Sequence, residues 1–132
     1  MSHAIHNKTI MIVDDDENIL KSLSRVLRQE GYQTHTFTRP YDALEMIQVE
    51  EIGVIISDQC MPQLEGAEFL RLIASYQPDA VKIILSGYFH DHAVAPLLDR
   101  SRAWRYIAKP WSDEDLRSTV AEAVLLYNAL PE

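Results

Sequence analysis

The sequence predicts a single α/β domain, a parallel sheet with helices packed on both faces. Three observations predict it. Five short apolar runs alternate with stretches of helical periodicity. Three of those runs are almost wholly aliphatic, as expected for strands buried on both faces. The chain has 132 residues, 47% of them hydrophobic, which suffices for one domain with a substantial core.

The first run is Thr9–Val13. Ile19, Leu20, Leu23, Val26 and Leu27 then form a one-sided helical stripe, and Gly31 is its stop. The second run, Tyr32–Phe37, alternates polar and apolar residues and is expected near a sheet edge. Pro40 opens a short helix over Tyr41–Gln48. Val54–Ser57 is the third run. Phe69, Leu70, Leu72 and Ile73 lie in a helix that ends before Pro78, and Val81–Leu85 is the fourth run. Next comes HDHAVAPLLDR, where Pro96 removes a helical hydrogen bond and disfavours helical angles at Ala95. The fourth helix is therefore expected to be short or irregular, starting near Pro96 or kinked there. Arg105–Ala108 is the fifth run. Ser112 caps the last helix, with Asp115 three residues on and Leu116, Val120, Ala123 and Tyr127 on its inner face.

Composition narrows the function. A net charge of −8 argues against direct nucleic-acid binding, which needs a basic surface, and suits cations or basic partner patches. No apolar run approaches the roughly 20 residues of a membrane helix. The N-terminus, MSHAIHNKT, lacks the apolar core of a signal peptide. Cys60 is the single cysteine, so no internal disulfide forms, and a cytoplasmic setting is expected.

In a parallel sheet the ligand site lies at the carboxyl ends of the strands. There the first run meets Asp14 and Asp15, the third meets Asp58, the fourth meets Ser86 and the fifth meets Lys109. Singly, each has a bland reading. An acid after a strand is a turn residue or helix cap, Ser86 before Gly87 is a turn residue, and a lone lysine is a solvated charge. Together they bring three carboxylates, a hydroxyl and an ammonium from four segments to one edge. Clustered carboxylates suit Mg²⁺, which takes one or two of them plus water and phosphate oxygens. A carboxylate is also a nucleophile toward phosphorus, and Asp58 stands alone at a central strand end. A metal ion and a lysine would neutralise the transferring group, and a hydroxyl would donate to it. Asp16 and Glu17 fit a separate role at the start of the first helix, where the dipole favours acids.

The segments IMIVDDDEN, IISDQCMPQLEG, IILSGY and YIAKPW, taken together, strongly resemble the receiver domain of two-component response regulators. The resemblance spans about Lys8 to Leu130, so that residues 1–132 form one receiver domain. It implies a flavodoxin-like sheet of five parallel strands, order 2-1-3-4-5, flanked by five helices. It implies a signalling switch, not an enzyme beyond its own phosphoryl transfer and autodephosphorylation. Asp58 is the implied phosphoacceptor, fed by a phosphohistidine on a sensor histidine kinase or phosphotransfer protein. Asp14 and Asp15 organise Mg²⁺, with Asp15, Asp58 and the backbone carbonyl of Cys60 as its ligands. Ser86 is the switch hydroxyl, Lys109 the phosphate-pairing cation and Tyr106 the switch aromatic. A cis bond is implied before Pro110. The face formed by the fourth helix, fifth strand and fifth helix is the implied output, for a homodimer or a C-terminal output domain; a stand-alone regulator is the other form.

Cys60 and Tyr88 match family positions that tune phosphoryl lifetime, and a bulky Tyr88 is expected to slow self-dephosphorylation. His90 and His92 form a metal-capable H-x-H that reads as a polar loop without a third ligand. Trp104 and Trp111 bracket the fifth strand as packing residues, with an exposed Trp111 on a partner face as the alternative. Two other classes compete. Asp14-x-Asp16 resembles the nucleophile motif of haloacid-dehalogenase phosphohydrolases, but that class leaves D-x-x-M-P at Asp58 without a role. A flavodoxin-like mononucleotide binder would need a Ser/Thr/Gly-rich phosphate loop after the first run, where this chain has acids.

Overall fold

The structure is a computed structural model; it describes residues 7–87 and 91–129, with the backbone alone for 91–93. Five parallel strands form one sheet in the order β2-β1-β3-β4-β5. They are β1 (Thr9–Val13), β2 (Gln33–Phe37), β3 (Val54–Asp58), β4 (Val81–Ser86) and β5 (Arg105–Ala108). Helices α1 (Glu17–Gln29), α2 (Pro40–Ile47), α3 (Gly66–Tyr76), α4 (Asp91–Ser101) and α5 (Asp113–Asn128) follow them in strict alternation. The order 2-1-3-4-5 is the flavodoxin-like topology.

The aliphatic strands β1, β3 and β4 are the three interior ones, and the alternating β2 is an edge. Side chains of successive residues leave opposite faces of the sheet. Ile10, Ile12, Val54 and Ile56 accordingly pack with Leu23, Leu27, Leu116 and Tyr127 beneath α1 and α5. Met11, Val13, Ile55 and Ile84 pack with Ala43, Ile47, Phe69 and Ile73 beneath α2 and α3. Each fully buried aliphatic of this kind contributes roughly 1.5–3 kcal/mol. Leu72, in helix α3, is exposed.

Helix ends follow the residues expected. Asp16 caps α1, its carboxylate accepting from the Asn18 amide at 2.9 Å, and Glu17 lies in the first turn. Gly31 adopts φ +88°, which an L side chain resists, and so lets the chain leave α1 for β2. Ser112 caps α5 through the Asp115 amide at 3.0 Å. Trp104 and Trp111 are half-buried against the α1/α5 core, in keeping with packing roles.

The expectation for the fourth helix needs correction. Helix α4 does not start late or run short. It begins at Asp91 and continues through Pro96 to Ser101, as long as α3 at 11 residues. Pro96 forfeits one amide donor, and its ring lies on the exposed side of the helix. Leu97 packs against the α2/α3 core, and Ser101 is fully buried and bonded to the Leu98 carbonyl and the Ala103 amide. Tertiary packing outweighs the local penalty. Among the described residues no helix is long and apolar enough to cross a membrane.

Candidate functional site

Strand register brings the polar strand ends together. Val13 lies opposite Ser57 across β1 and β3, so one residue further places Asp14 beside Asp58. Asp58 lies opposite Leu85, with Ser86 next, and Ser86 lies opposite Ala108, with Lys109 next. Four segments distant in sequence therefore meet along one edge.

Side chains complete the meeting. Lys109 Nζ donates to Asp14 Oδ2 at 2.9 Å and to Asp58 Oδ1 at 3.0 Å. The Lys109 amide donates to the Ser86 carbonyl at 2.9 Å, which fixes the start of the lysine on β4. Asp14 Oδ1 accepts from the Asp16 amide at 2.9 Å. Asp14 is completely buried, Asp58 nearly so, and Asp15 is exposed. One oxygen from each of the three carboxylates lies within 4.8 Å of the others.

Electrostatics follow from that crowding. Burial pushes the Asp58 carboxyl up; the Lys109 hydrogen bond opposes it, and the charges of Asp14 and Asp15 add to it. Burial alone would lower the Lys109 ammonium, but its bonds and charge attraction to Asp14 and Asp58 outweigh it, and the net shift is upward. Lys109 is therefore firmly cationic. One ammonium against three carboxylates leaves a deficit of two positive charges, facing solvent at Asp15. A hard-oxygen donor set with that deficit fits a divalent cation such as Mg²⁺.

The remaining expected residues are placed as follows. Ser86 is buried at the end of β4 and Tyr106 is 38% exposed on β5, opposite Ile84. Cys60 is an exposed free thiol in the turn after β3. The peptide bond before Pro110 is cis. Tyr88 and His90 lie outside the described residues, as does the side chain of His92.

Gly66, the glycine that closes IISDQCMPQLEG, and Gln59 brace the site in a way the sequence reading did not assign. A Cβ on Gly66 would stand 2.2 Å from the Asp58 carbonyl oxygen and 2.9 Å from Gln59 Cα. Only a glycine lets the start of α3 press against the strand end that carries Asp58. Gln59 fastens the same joint. Its carbonyl accepts from the Gly66 amide and its side chain from the Ala67 amide, each at 2.9 Å. The glycine at a helix start shortly after a strand was the available signal.

The site also weighs against Asp14-x-Asp16 as a nucleophile pair. Both oxygens of Asp14 are engaged, and Asp16 serves as the α1 cap.

Comparison with known proteins agrees with this geometry. The family model described as response regulator receiver domain matches residues 10–121. The hydrogenase transcriptional regulatory protein HoxA of Bradyrhizobium diazoefficiens is 36% identical over 94% of this chain and 25% of its own length. The chain spans about a quarter of the length of the curated relatives matched first. A protein from Neptuniibacter caesariensis superposes with a TM-score of 0.86 at 36% identity, covering 96% of this chain and 98% of that one. The solution structure of a beryllofluoride-activated NtrC4 receiver domain dimer gives a TM-score of 0.85 at 31% identity, covering 91% and 98%.

Proposed function

The chain belongs to the response regulator receiver domain family of two-component signalling, and from that premise we propose that Asp58 is its phosphoacceptor. The observation that carries this is the position of Asp58, at the end of the central strand β3, bonded to Lys109 and clustered with Asp14 and Asp15. A carboxylate oxygen of Asp58 attacks the phosphorus of a phosphohistidine on a sensor kinase or phosphotransfer protein. The O–P bond forms as the P–N bond breaks, and the electron pair stays on the imidazole nitrogen, which takes up a proton. Asp15, Asp58 and the Cys60 carbonyl would hold Mg²⁺, with Asp14 organising the site, and the ion would supply Lewis-acid neutralisation of phosphoryl oxygens. Lys109 neutralises a further oxygen of the same group. Cys60 and Tyr88 set how fast water removes the phosphoryl group.

Phosphorylation replaces one carboxylate charge with nearly two negative charges and new acceptor oxygens. Ser86 turns its hydroxyl toward them, and Tyr106 moves into the space released. The bond between the Ser86 carbonyl and the Lys109 amide supports coupling of that movement to β5. The α4–β5–α5 face carries the signal to a second copy or to an output domain, in the cytoplasm. The test is incubation with a small-molecule phosphodonor and Mg²⁺. Wild type is expected to gain one phosphoryl group and Asp58→Asn none.

A further inference from the structure

A concavity of about 670 Å³ is lined by α3, the last turn of α4 and the loop joining α4 to β5. Its lining residues are Arg71, Leu98, Asp99, Arg100, Arg102 and Ala103. Half of those residues carry guanidinium groups, in a chain whose net charge is −8. All three arginines are exposed, and among the described residues none of them is in an ion pair.

Arg102 adds a second observation. Its φ is 59°, the left-handed region in which glycine or asparagine is unstrained. It directly follows α4, the position at which glycine commonly ends a helix. An arginine there gives up backbone ease and places a cation at the lip of the concavity. Its charge also reaches the interior. Burial lowers the Lys82 ammonium, Asp79 opposes this, and Arg102 adds to the lowering.

We propose that this concavity binds an acidic segment of a partner protein, with two or more carboxylates spaced by apolar side chains. Guanidinium forks pair with carboxylates through two parallel hydrogen bonds. Leu98 and Ala103, both half-buried, belong to the same lining and offer apolar side chains a small contact. The volume exceeds what one phosphate or carboxylate fills. Binding requires no phosphoryl group at Asp58.

The test uses the unphosphorylated chain and a short labelled peptide alternating glutamate and leucine, with its glutamine counterpart and inorganic pyrophosphate in parallel. The glutamate peptide is expected to bind, to weaken with added salt and to shift the amide signals of Arg71 and residues 98–103. Replacing all three arginines by glutamine should weaken it by roughly tenfold or more. Three lysines in their place should retain part of the affinity, because charge remains and the fork is lost. Four results would overturn the proposal. They are no binding of the glutamate peptide, equal binding of the glutamine peptide, unchanged affinity in the triple glutamine variant, or pyrophosphate binding as tightly as the peptide.

Discussion

The Lys109 ammonium lies 3.0 Å from Asp58 Oδ1, joining the residue after β5 to the end of β3 across 51 positions of sequence. It bonds Asp14 Oδ2 as well, so one cation holds two buried carboxylates side by side. Lys109→Ala should leave both without that partner. The expected loss of stability is about 2 kcal/mol in urea unfolding without divalent ions, the scale of a hydrogen bond to a charged group. Saturating Mg²⁺ should recover part of the loss, because bound ligand stabilises the folded state that holds it. Phosphoryl uptake should fall at least tenfold.

Asp58→Asn should stabilise the metal-free protein at pH 7 relative to wild type. The sign follows from linkage. The folded-state pKa of Asp58 is raised, first by burial and then by Asp14 and Asp15 against Lys109, so the fold holds its proton more tightly than the unfolded chain does. Stability contributed by this group is present below the ordinary value of 3.8 and is lost as pH rises through the folded value. The advantage of the asparagine variant should therefore shrink as pH falls toward 3.8, as thermal melts across the acid range would show.

Gly66→Ala should damage the site from behind. Its new Cβ meets the Asp58 carbonyl at 2.2 Å, which is backbone and cannot swing aside. About 2–3 kcal/mol of stability should go, together with most phosphoryl uptake by the protein that remains folded. Urea unfolding and phosphorylation of the folded fraction separate the two effects. Uptake at the wild-type rate would show that α3 does not position Asp58.

Much of this was legible in the sequence. Asp14, Asp58, Ser86 and Lys109 each end an apolar run, and parallel strands bring such ends to one edge. The alternation in Tyr32–Phe37 marked an edge strand, observed as Gln33–Phe37. What stayed hidden depends on packing in three dimensions. Nothing local to Gly66 shows that α3 presses on the Asp58 carbonyl. The proline rule at Pro96 was sound locally and was outweighed by Leu97 and Ser101 on their side of α4. That Lys109 bonds Asp14 as well as Asp58 depends on its rotamer.

Lys82 supplies a pH prediction away from the site. It is a buried lysine in β4, its Nζ donating to the Ala80 carbonyl at 2.6 Å. Burial lowers its folded-state pKa, with Arg102 adding and Asp79 opposing. The unfolded chain then binds this proton more tightly, so the penalty of the charge is full below the folded value and is relieved as pH rises toward 10.5. Stability of wild type relative to Lys82→Met should increase from pH 7 toward 10.5, measured by urea unfolding at each pH.

The most direct measurement is the address of the phosphoryl group. The protein is phosphorylated with a small phosphodonor and Mg²⁺, the acyl phosphate is trapped by borohydride reduction, and the product is mapped by peptide mass spectrometry. The account predicts a single modified residue, Asp58, absent in Asp58→Asn. Modification at Asp14, or equal labelling of wild type and Asp58→Asn, would contradict it.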